Sequence, residues 1–484
     1  MSEMQKGVVL GRAASIDADS PVSRNLDVPR STPEMTPRLQ RLLIGPVVPT
    51  LLGLAWPNIL VMLAQASTGL IETWWLSRLG IDALTGMAIV FPCFMMMSML
   101  SAGAIGGGIA SSIARALGSR RQDDADALVL HAIAINLVIG IVTSAIFLVF
   151  GPKIYGAMGG RGASLDAALR YSNVVFAGNV MLWLMNALAS VIRGTGNMML
   201  PSVAVCFGVV VLVPLSPLLI FGFGPIPPLG VAGGGLAVVI TTVLSFLILG
   251  GYLLSGRTAV TLRWKALRWS MASDILRIGG VGVINTLQTT LTVTLATAMV
   301  GKIGGPDAVA GYGTGARLEY LLIPLVFGLG APLVALVGTN IGAGQKRRAL
   351  KIALTGAAIA FGLTECIGIA AAIWPLAWLS LFGHDPKMLA TGALYLRAVG
   401  PVYGFFGLGL SLYFASQGAG RLGWPLFGGL LRMTTALGGG WLVLRFTGSL
   451  HWLFAVLALS LVIYGTTVVL AVGSGAWFKA RELH

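Results

Sequence analysis

The chain has 484 residues, of which 56% are hydrophobic and only 10% are charged. A water-soluble protein of this length needs more polar side chains to cover its surface, so the composition excludes a soluble globular protein. The 32 basic and 17 acidic residues give a net charge of +15. Because the basic residues lie in short segments between long apolar runs, this excess indicates membrane topology and no nucleic-acid partner.

Residues 1–45 mix Pro, Ser and charges of both signs without a sustained apolar run. This pattern predicts a disordered cytoplasmic tail and no secretory signal. Apolar runs long enough to cross a bilayer as helices, which takes about 20 residues, then follow one another to residue 474. The twelve runs are 47–76, 83–112, 126–150, 169–192, 199–222, 231–255, 275–300, 309–340, 349–381, 390–416, 423–446 and 450–474. The predicted fold class is therefore an all-α polytopic membrane protein with twelve transmembrane helices.

Basic residues concentrate in the N-terminal tail and in every second loop, most densely at 115–121, 257–277 and 346–351. By the positive-inside rule, both termini are expected in the cytoplasm. The protein itself is expected in the inner membrane of a bacterium. The segment 256–274 holds Arg263, Trp264, Lys265, Arg268 and Trp269, and is either a connector in the headgroup region or a plain solvated linker.

Glycine-centred signatures recur at one constant separation along the chain, and one tyrosine pair keeps the same spacing. The pairs are Gly80 and Gly304, Gly118 and Gly342, Gly194 and Gly418, and Tyr171 and Tyr395. We expect an N-lobe (46–255), a cytoplasmic connector (256–274), a C-lobe (275–475) and a cytoplasmic tail (476–484). Six spans per lobe is an even number, so the pseudo-twofold axis should run along the membrane normal. A membrane domain built from two repeats favours a transporter, whose substrate site lies between the repeats.

The sequence lacks motifs for a disulfide, a metal site or a nucleotide-binding loop. Cys93, Cys206 and Cys366 stand singly inside apolar runs, which predicts neither a disulfide nor a metal site. No phosphate-binding loop of the G-x-x-x-x-G-K-[ST] type occurs, so ATP is not the expected energy source. We expect no cofactor beyond a coupling ion, H⁺ or Na⁺, and no enzymatic activity.

Three local motifs resemble the multidrug and toxic compound extrusion (MATE) family. The first run contains Pro57 and then Glu72-Thr73, with Gly80 closing the pattern eight residues after the acid. The loops at 193–201 and 338–344 resemble the family's loops after its fourth and eighth spans. The resemblance covers 46–475 and implies two six-helix lobes around a central cavity. It also implies extrusion of organic cations driven by inward H⁺ or Na⁺ flow.

Acidic side chains at membrane depth are costly and therefore functional candidates. The resemblance assigns cation coupling to Glu72, because a carboxyl group withdrawn from water can take up a proton and release it later. The alternative for Glu72 is an interfacial ion pair with Arg78. Glu319 is a second coupling candidate: either Glu72 binds the coupling ion alone, or Glu319 shares this function. Glu365 is a weaker candidate. Arg317 is expected in a structural ion pair.

The sequence also departs from the family pattern. Ser216 stands before Pro217 where many members have an aspartate, and the seventh run lacks the acid that some members carry. Coupling by a pair of acids in the N-lobe is therefore not expected.

Polar residues in the middle of the apolar runs are candidates for the substrate cavity, although interhelical hydrogen bonding would also explain each one. The candidates are Gln65, Trp74, Asn186, Asn285 and Gln288. Trp74 is alternatively an interface aromatic. The resemblance further marks the loop motifs Arg193, Gly194, Gly196, Gly418 and Gly420.

The predicted function is a secondary active efflux antiporter, monomeric in the lipid bilayer. It would export organic compounds, cationic or amphipathic, in exchange for H⁺ or Na⁺ by alternating access. Three alternatives remain open at this point: a lipid-linked saccharide flippase of the same superfamily, a facilitator-type symporter, and an integral-membrane transferase.

Overall fold

The computed structural model describes residues 36–225, 227–264 and 266–478. Within these residues the chain folds into sixteen α-helices. In chain order they are α1 (Pro37–Ile44), α2 (Val47–Ser77), α3 (Ile81–Met99), α4 (Gly106–Gly118), α5 (Gln122–Ala157), α6 (Gly162–Ala177), α7 (Asn179–Gly194), α8 (Met199–Phe221), α9 (Val231–Leu254), α10 (Trp269–Gly342), α11 (Lys346–Ile373), α12 (Pro375–Leu379), α13 (Pro386–Val399), α14 (Tyr403–Gly418), α15 (Gly423–Phe446) and α16 (Leu450–Gly473). A π-helical stretch, Leu100–Ile105, joins α3 to α4, and a 3₁₀ turn, Gly400–Val402, joins α13 to α14.

The described helices form an all-helical, multi-pass membrane protein. Nine helical stretches are long and apolar enough to cross a bilayer, or ten if α6 and α7, which meet at a 46° bend, make one span. The 74-residue α10 counts once in that total, although Gly305 at φ 71° divides it into two helices. The 24-residue α15 lies outside the total. The count of twelve spans stays a prediction.

Both predicted tails contain ordered, packed segments. Residues 37–44 form α1, so the expectation of disorder up to residue 45 was wrong there; residues 1–35 lie outside the described residues. The Thr36 hydroxyl caps α1 by accepting a hydrogen bond from Leu39 N at 3.3 Å, and Leu42 is 2% exposed. At the other end, the buried Trp477 donates from Nε1 to Ser416 Oγ at 3.2 Å.

Buried apolar side chains separate largely by position in the chain. One cluster lies within residues 61–275 and another within 300–461. A third is built mainly from residues 278–477, and adds Leu42, Leu51, Ala55 and Ala110 from the N-terminal half. Each half of the chain therefore has a core of its own, and the third cluster joins them.

The connector between the halves is hydrogen-bonded to α5. The carboxylate of Asp126, 2% exposed, accepts from Thr261 N at 2.8 Å and from Thr261 Oγ1 at 3.0 Å. His131 Nε2 accepts from Arg268 N at 2.8 Å. These bonds anchor the connector, whereas Trp264 is 86% exposed. Its position among lipid headgroups stays a prediction, and Lys265 lies outside the described residues.

The two halves meet at the end of the bundle where the connector lies, called here the connector end. A Cβ added to Gly118 of α4 would overlap the carbonyl of Thr339, and one added to Gly342 of α10 would overlap the carbonyl of Arg115. Ser111 Oγ also donates to Gln417 O at 2.6 Å. The repeat-related glycines thus let the backbones of the two halves touch reciprocally.

Candidate coupling and substrate sites

A cavity of about 340 Å³ opens among α2, α3, α7, α8 and α9, and Ile323, Pro324 and Phe327 of α10 close one side. Most of its lining side chains are apolar, with phenylalanines and methionines of α3 prominent among them. Long methionine side chains adapt their shape to different ligands, and aromatic rings offer flat contact surfaces. The cavity can therefore hold an apolar organic body of variable shape.

Polar groups line the same cavity on one face of α7. Asn186 and Arg193 are seven residues apart, which places them on the same side of the helix. Asn186 is 5% exposed and Arg193 is 7% exposed. Asn186 Nδ2 and Arg193 Nε have no hydrogen-bond partner among the described residues. Gln65 of α2, another residue predicted for the substrate cavity, also lines this cavity.

The remaining predicted cavity residues lie elsewhere. Asn285 and Gln288 of α10 face Gly429 of α15, where an added Cβ would lie 2.7 Å from Gln288 Nε2 and 3.3 Å from Asn285 Oδ1. Trp74 is 52% exposed, and the guanidinium of Arg78 lies over its ring at 4.2 Å. None of these three side chains belongs to the described lining of this cavity, and their role in substrate binding stays a prediction.

The motif residues marked as loops divide between helix ends and turns. Arg193 and Gly194 form the last two residues of α7, and Gly418 ends α14. Their assignment to loops was wrong because both helices continue through the motif to pack against the opposing backbone of α4 or α10. Gly196 and Gly420 lie in the following turns at φ 80° and φ 69°, where glycine is favoured.

Glu72 lies near the end of α2 and is 3% exposed. Its Oε2 accepts a hydrogen bond from the hydroxyl of Tyr171 of α6 at 3.0 Å. Its Oε1 is buried without a hydrogen-bond partner in the described part of the chain. The alternative pairing with Arg78 does not occur, because the Arg78 guanidinium lies over the rings of Trp74 and Trp75.

Glu319 of α10 has two partners from different helices. Its Oε2 accepts from the hydroxyl of Tyr395 of α13 at 3.2 Å. Its Oε1 accepts from Arg432 Nη2 of α15 at 3.1 Å, and both charged side chains are less than a fifth exposed. The sequence interpretation missed this pair, because the two residues are 113 positions apart and only an arginine in the middle of an apolar run signals it.

Two further charged residues, Glu365 and Arg317, contact other groups of the protein. Glu365 Oε2 accepts from Gly404 N at 2.7 Å and so caps the first turn of α14, where a negative charge is favoured. Arg317 lies over the ring of Phe382 at 5.2 Å. The ion pair predicted for Arg317 is not formed with any acid that the structure describes, so that prediction was wrong.

The MatE family model matches the chain twice, over residues 57–218 and 281–442. The starts of the two matches, at 57 and 281, have the same separation as the repeated glycine signatures. The chain belongs to the MATE family of transporters. This assignment also removes the enzyme alternative, because the family consists of transporters.

Relatives of this MATE chain include the FAD transporter of Shewanella oneidensis, 27% identical over 382 residues, which are 78% of this chain and 82% of that protein. A probable multidrug resistance protein of Bacillus subtilis, YoeA, is 25% identical over 72% of this chain and 76% of its own length. The fold is similar to a crystal structure of MATE in the bent conformation, with a TM-score of 0.85 and 22% identity over 92% of this chain and 99% of that one.

Proposed function

We propose that this MATE chain is a secondary active antiporter that exports organic compounds in exchange for H⁺ or Na⁺ by alternating access. It acts as a monomer with twelve transmembrane helices in two six-helix lobes, 46–255 and 275–475. The pseudo-twofold axis runs along the membrane normal. Both termini and the connector lie in the cytoplasm of a bacterium whose inner membrane holds the transporter. The separate apolar cores of the two halves support the two-lobe arrangement.

The observation that carries the proposal is the environment of Glu72. A buried carboxyl group with one hydrogen-bonded oxygen and one oxygen unpartnered among the described residues can take up a proton or a sodium ion. Charge at membrane depth is costly, so a change in occupancy changes the stability of the helix packing around Glu72. One proton that moves inward supplies about 2.3 kcal/mol per 100 mV of membrane potential, which is enough to drive a substantial substrate gradient.

Glu319 does not share the coupling step in this mechanism. Its carboxylate is already paired with Arg432, so a second cation would have to displace a guanidinium. Ser216 of α8 is fully buried and offers no carboxyl group to assist Glu72. Coupling therefore rests on Glu72 alone.

Alternating access is supported by the contacts at the connector end. Reciprocal glycine contacts between α4 and α10 close the bundle there. Because these contacts are between the halves rather than within them, a relative rotation of the lobes can open that end and close the other. The structure then corresponds to a state closed toward the cytoplasm.

The proposal is tested with the purified full chain in liposomes, with a pH gradient and a sodium gradient imposed separately. Uptake of two xanthene dyes, the cation rhodamine 123 and the anion fluorescein, is measured by fluorescence. We expect at least one dye to accumulate above its level in protein-free liposomes under the same gradient, and only when one of the two gradients is present. Equal dye levels in liposomes with and without the protein under both gradients would contradict secondary active transport.

The flippase alternative requires a strongly cationic cavity. The described lining of the cavity contains one arginine, and no other observation favours a lipid-linked saccharide as the substrate.

A further inference from the structure

The charge of the cavity differs from what a cation exporter requires. Arg193 is the one charged side chain among the residues that line the described cavity. No acidic side chain belongs to the described lining, and Glu72 and Glu319 are engaged with tyrosine or arginine side chains outside it.

Arg193 is also a donor without a described acceptor. A guanidinium has five N–H donors and no acceptor, and no hydrogen bond or ion pair to its side chain occurs among the described residues. The amide Nδ2 of Asn186, on the same face of α7, is a second buried donor without a described partner. Unpaired buried donors and charges are costly, so both groups favour a ligand that brings acceptor atoms.

Two partly buried arginines have acidic partners. Arg115 of α4 pairs with Asp274 at 2.6 Å, and Arg432 pairs with Glu319 at 3.1 Å. No acidic side chain of the described residues lies within ion-pair distance of Arg193. The arginine that faces the cavity therefore lacks the protein counter-charge that Arg115 and Arg432 have, within the part of the chain that the structure describes.

The internal repeat supplies a second comparison. Gln417 stands at the point of the second repeat that corresponds to Arg193, at the separation shared by the glycine pairs. Gln417 is fully buried, and its Nε2 donates to the carbonyl of Gly103 at 3.1 Å. A neutral side chain thus satisfies the packing at this point of the repeat, so the positive charge at 193 serves something other than the close approach of the helices.

The apolar side chains that line the cavity indicate what the part of the ligand away from Arg193 must be. Phe91, Phe94, Met95, Met99 and Met185 line the cavity beside Arg193 and Asn186. They offer contact to an apolar, ring-bearing body, while the polar pair on α7 offers hydrogen bonds to one end of it.

We propose that the transported compounds are amphipathic organic anions: an aromatic body among the Phe and Met side chains, and a carboxylate, sulfonate or phosphate group bound by Arg193 and Asn186. The inference rests on the proposed function, because it takes this cavity as the transport site. It replaces the organic cations that the family resemblance implies. Arg193 discriminates by charge, since a cation would leave the guanidinium unpaired and repelled.

The test is equilibrium binding to the full chain in nanodiscs of phosphatidylcholine, measured by fluorescence polarisation without any ion gradient. Fluorescein and rhodamine 123 share the xanthene core and differ in charge. We expect fluorescein to bind the wild-type protein more tightly than rhodamine 123 does. We expect Arg193→Gln, which introduces the residue of the second repeat, to weaken fluorescein binding roughly 10- to 100-fold, the size of a lost charge-assisted hydrogen bond. Rhodamine 123 binding should stay the same or improve.

Two variants control the result. Arg193→Lys keeps the charge and should retain most of the preference for fluorescein. Arg115→Gln removes an arginine that is paired with Asp274 and does not line the cavity, and should leave the ratio of the two affinities unchanged.

Tighter binding of rhodamine 123 to the wild-type protein would overturn the inference, and this outcome needs no variant to fold. An Arg193→Gln variant that runs as a single species in gel filtration and keeps its fluorescein affinity would also overturn it. The binding experiment uses no ion gradient, so its result does not depend on antiport. If fluorescein binds selectively but no dye accumulates under a gradient, the proposed antiport is contradicted and the inferred anion site is not.

Discussion

Tyr171 and Tyr395 occupy equivalent positions of the two repeats, and each hydroxyl donates to a carboxylate. The carboxylates themselves are not equivalent. At the separation that relates the two tyrosines, the counterpart of Glu72 is Ala296 and the counterpart of Glu319 is Met95. The two halves therefore use the same tyrosine to hold acids that arrive from different helices.

Charge balance separates the two acids further. Arg432 neutralises Glu319, whereas Glu72 has no basic partner within ion-pair distance among the described residues. A carboxylate that is already paired stabilises one arrangement of helices. An unpaired one can change its charge, and with it the arrangement it favours. The comparison teaches that a shared tyrosine does not imply a shared function.

The largest expected effect is that of Glu72→Gln. The amide keeps the size and can still accept from Tyr171, but it cannot take up or release a cation. We expect gradient-driven dye accumulation in liposomes to fall to the level of empty vesicles, while dye binding in nanodiscs is retained. Glu365→Gln, at the helix cap, is the matched control and should keep accumulation. Normal accumulation by Glu72→Gln would remove the distinction between the two acids.

The next effect concerns the paired acid. Arg432→Leu leaves the carboxylate of Glu319 without its cation, and breaking a buried pair from one side costs about 3 kcal/mol. We expect a markedly lower midpoint of thermal unfolding in detergent, and partial recovery in the double variant Glu319→Gln/Arg432→Leu, where no charge remains unpaired. A midpoint for Arg432→Leu equal to that of the wild type would show that the pair contributes no stability.

A smaller effect is expected at the contact between the halves. Gly118→Ala places a methyl group against the carbonyl of Thr339, which cannot move aside without shifting α10. We expect slower initial rates of dye accumulation and a lowered unfolding midpoint. Gly251→Ala, where a Cβ meets nothing within 4 Å, is the control and should match the wild type in both measurements. Identical behaviour of the two variants would mean that the contact is looser than described.

The smallest effect separates the two tyrosines. Tyr171→Phe removes the one described hydrogen bond to the Glu72 carboxyl group, a loss of about 1 kcal/mol, and we expect a several-fold change in the initial rate of gradient-driven accumulation. Tyr395→Phe should change the rate less, because Glu319 keeps Arg432. A larger effect from Tyr395→Phe would reverse the roles assigned to the two acids.

Long apolar runs and the recurring glycine signatures were sufficient to predict a helical membrane protein with an internal repeat, because helix length and close packing are local requirements. The constant separation of the glycine pairs is confirmed by the two matches of the family model. Glu72 was selected from the sequence as a costly acid at membrane depth, and the structure places it out of contact with water. Its function in coupling stays a prediction.

What the sequence by itself determined is the repeat, the transporter family and the candidate acids, since each depends on residues close together or evenly spaced. Only the tertiary structure decided which acid is paired, because Glu319 and Arg432 come together from helices 113 residues apart. It also decided that Arg193 faces the cavity without a described acidic partner, while Trp74, Asn285 and Gln288 lie elsewhere. Burial and pairing depend on how helices pack across the whole chain, and spacing along the chain does not contain that information.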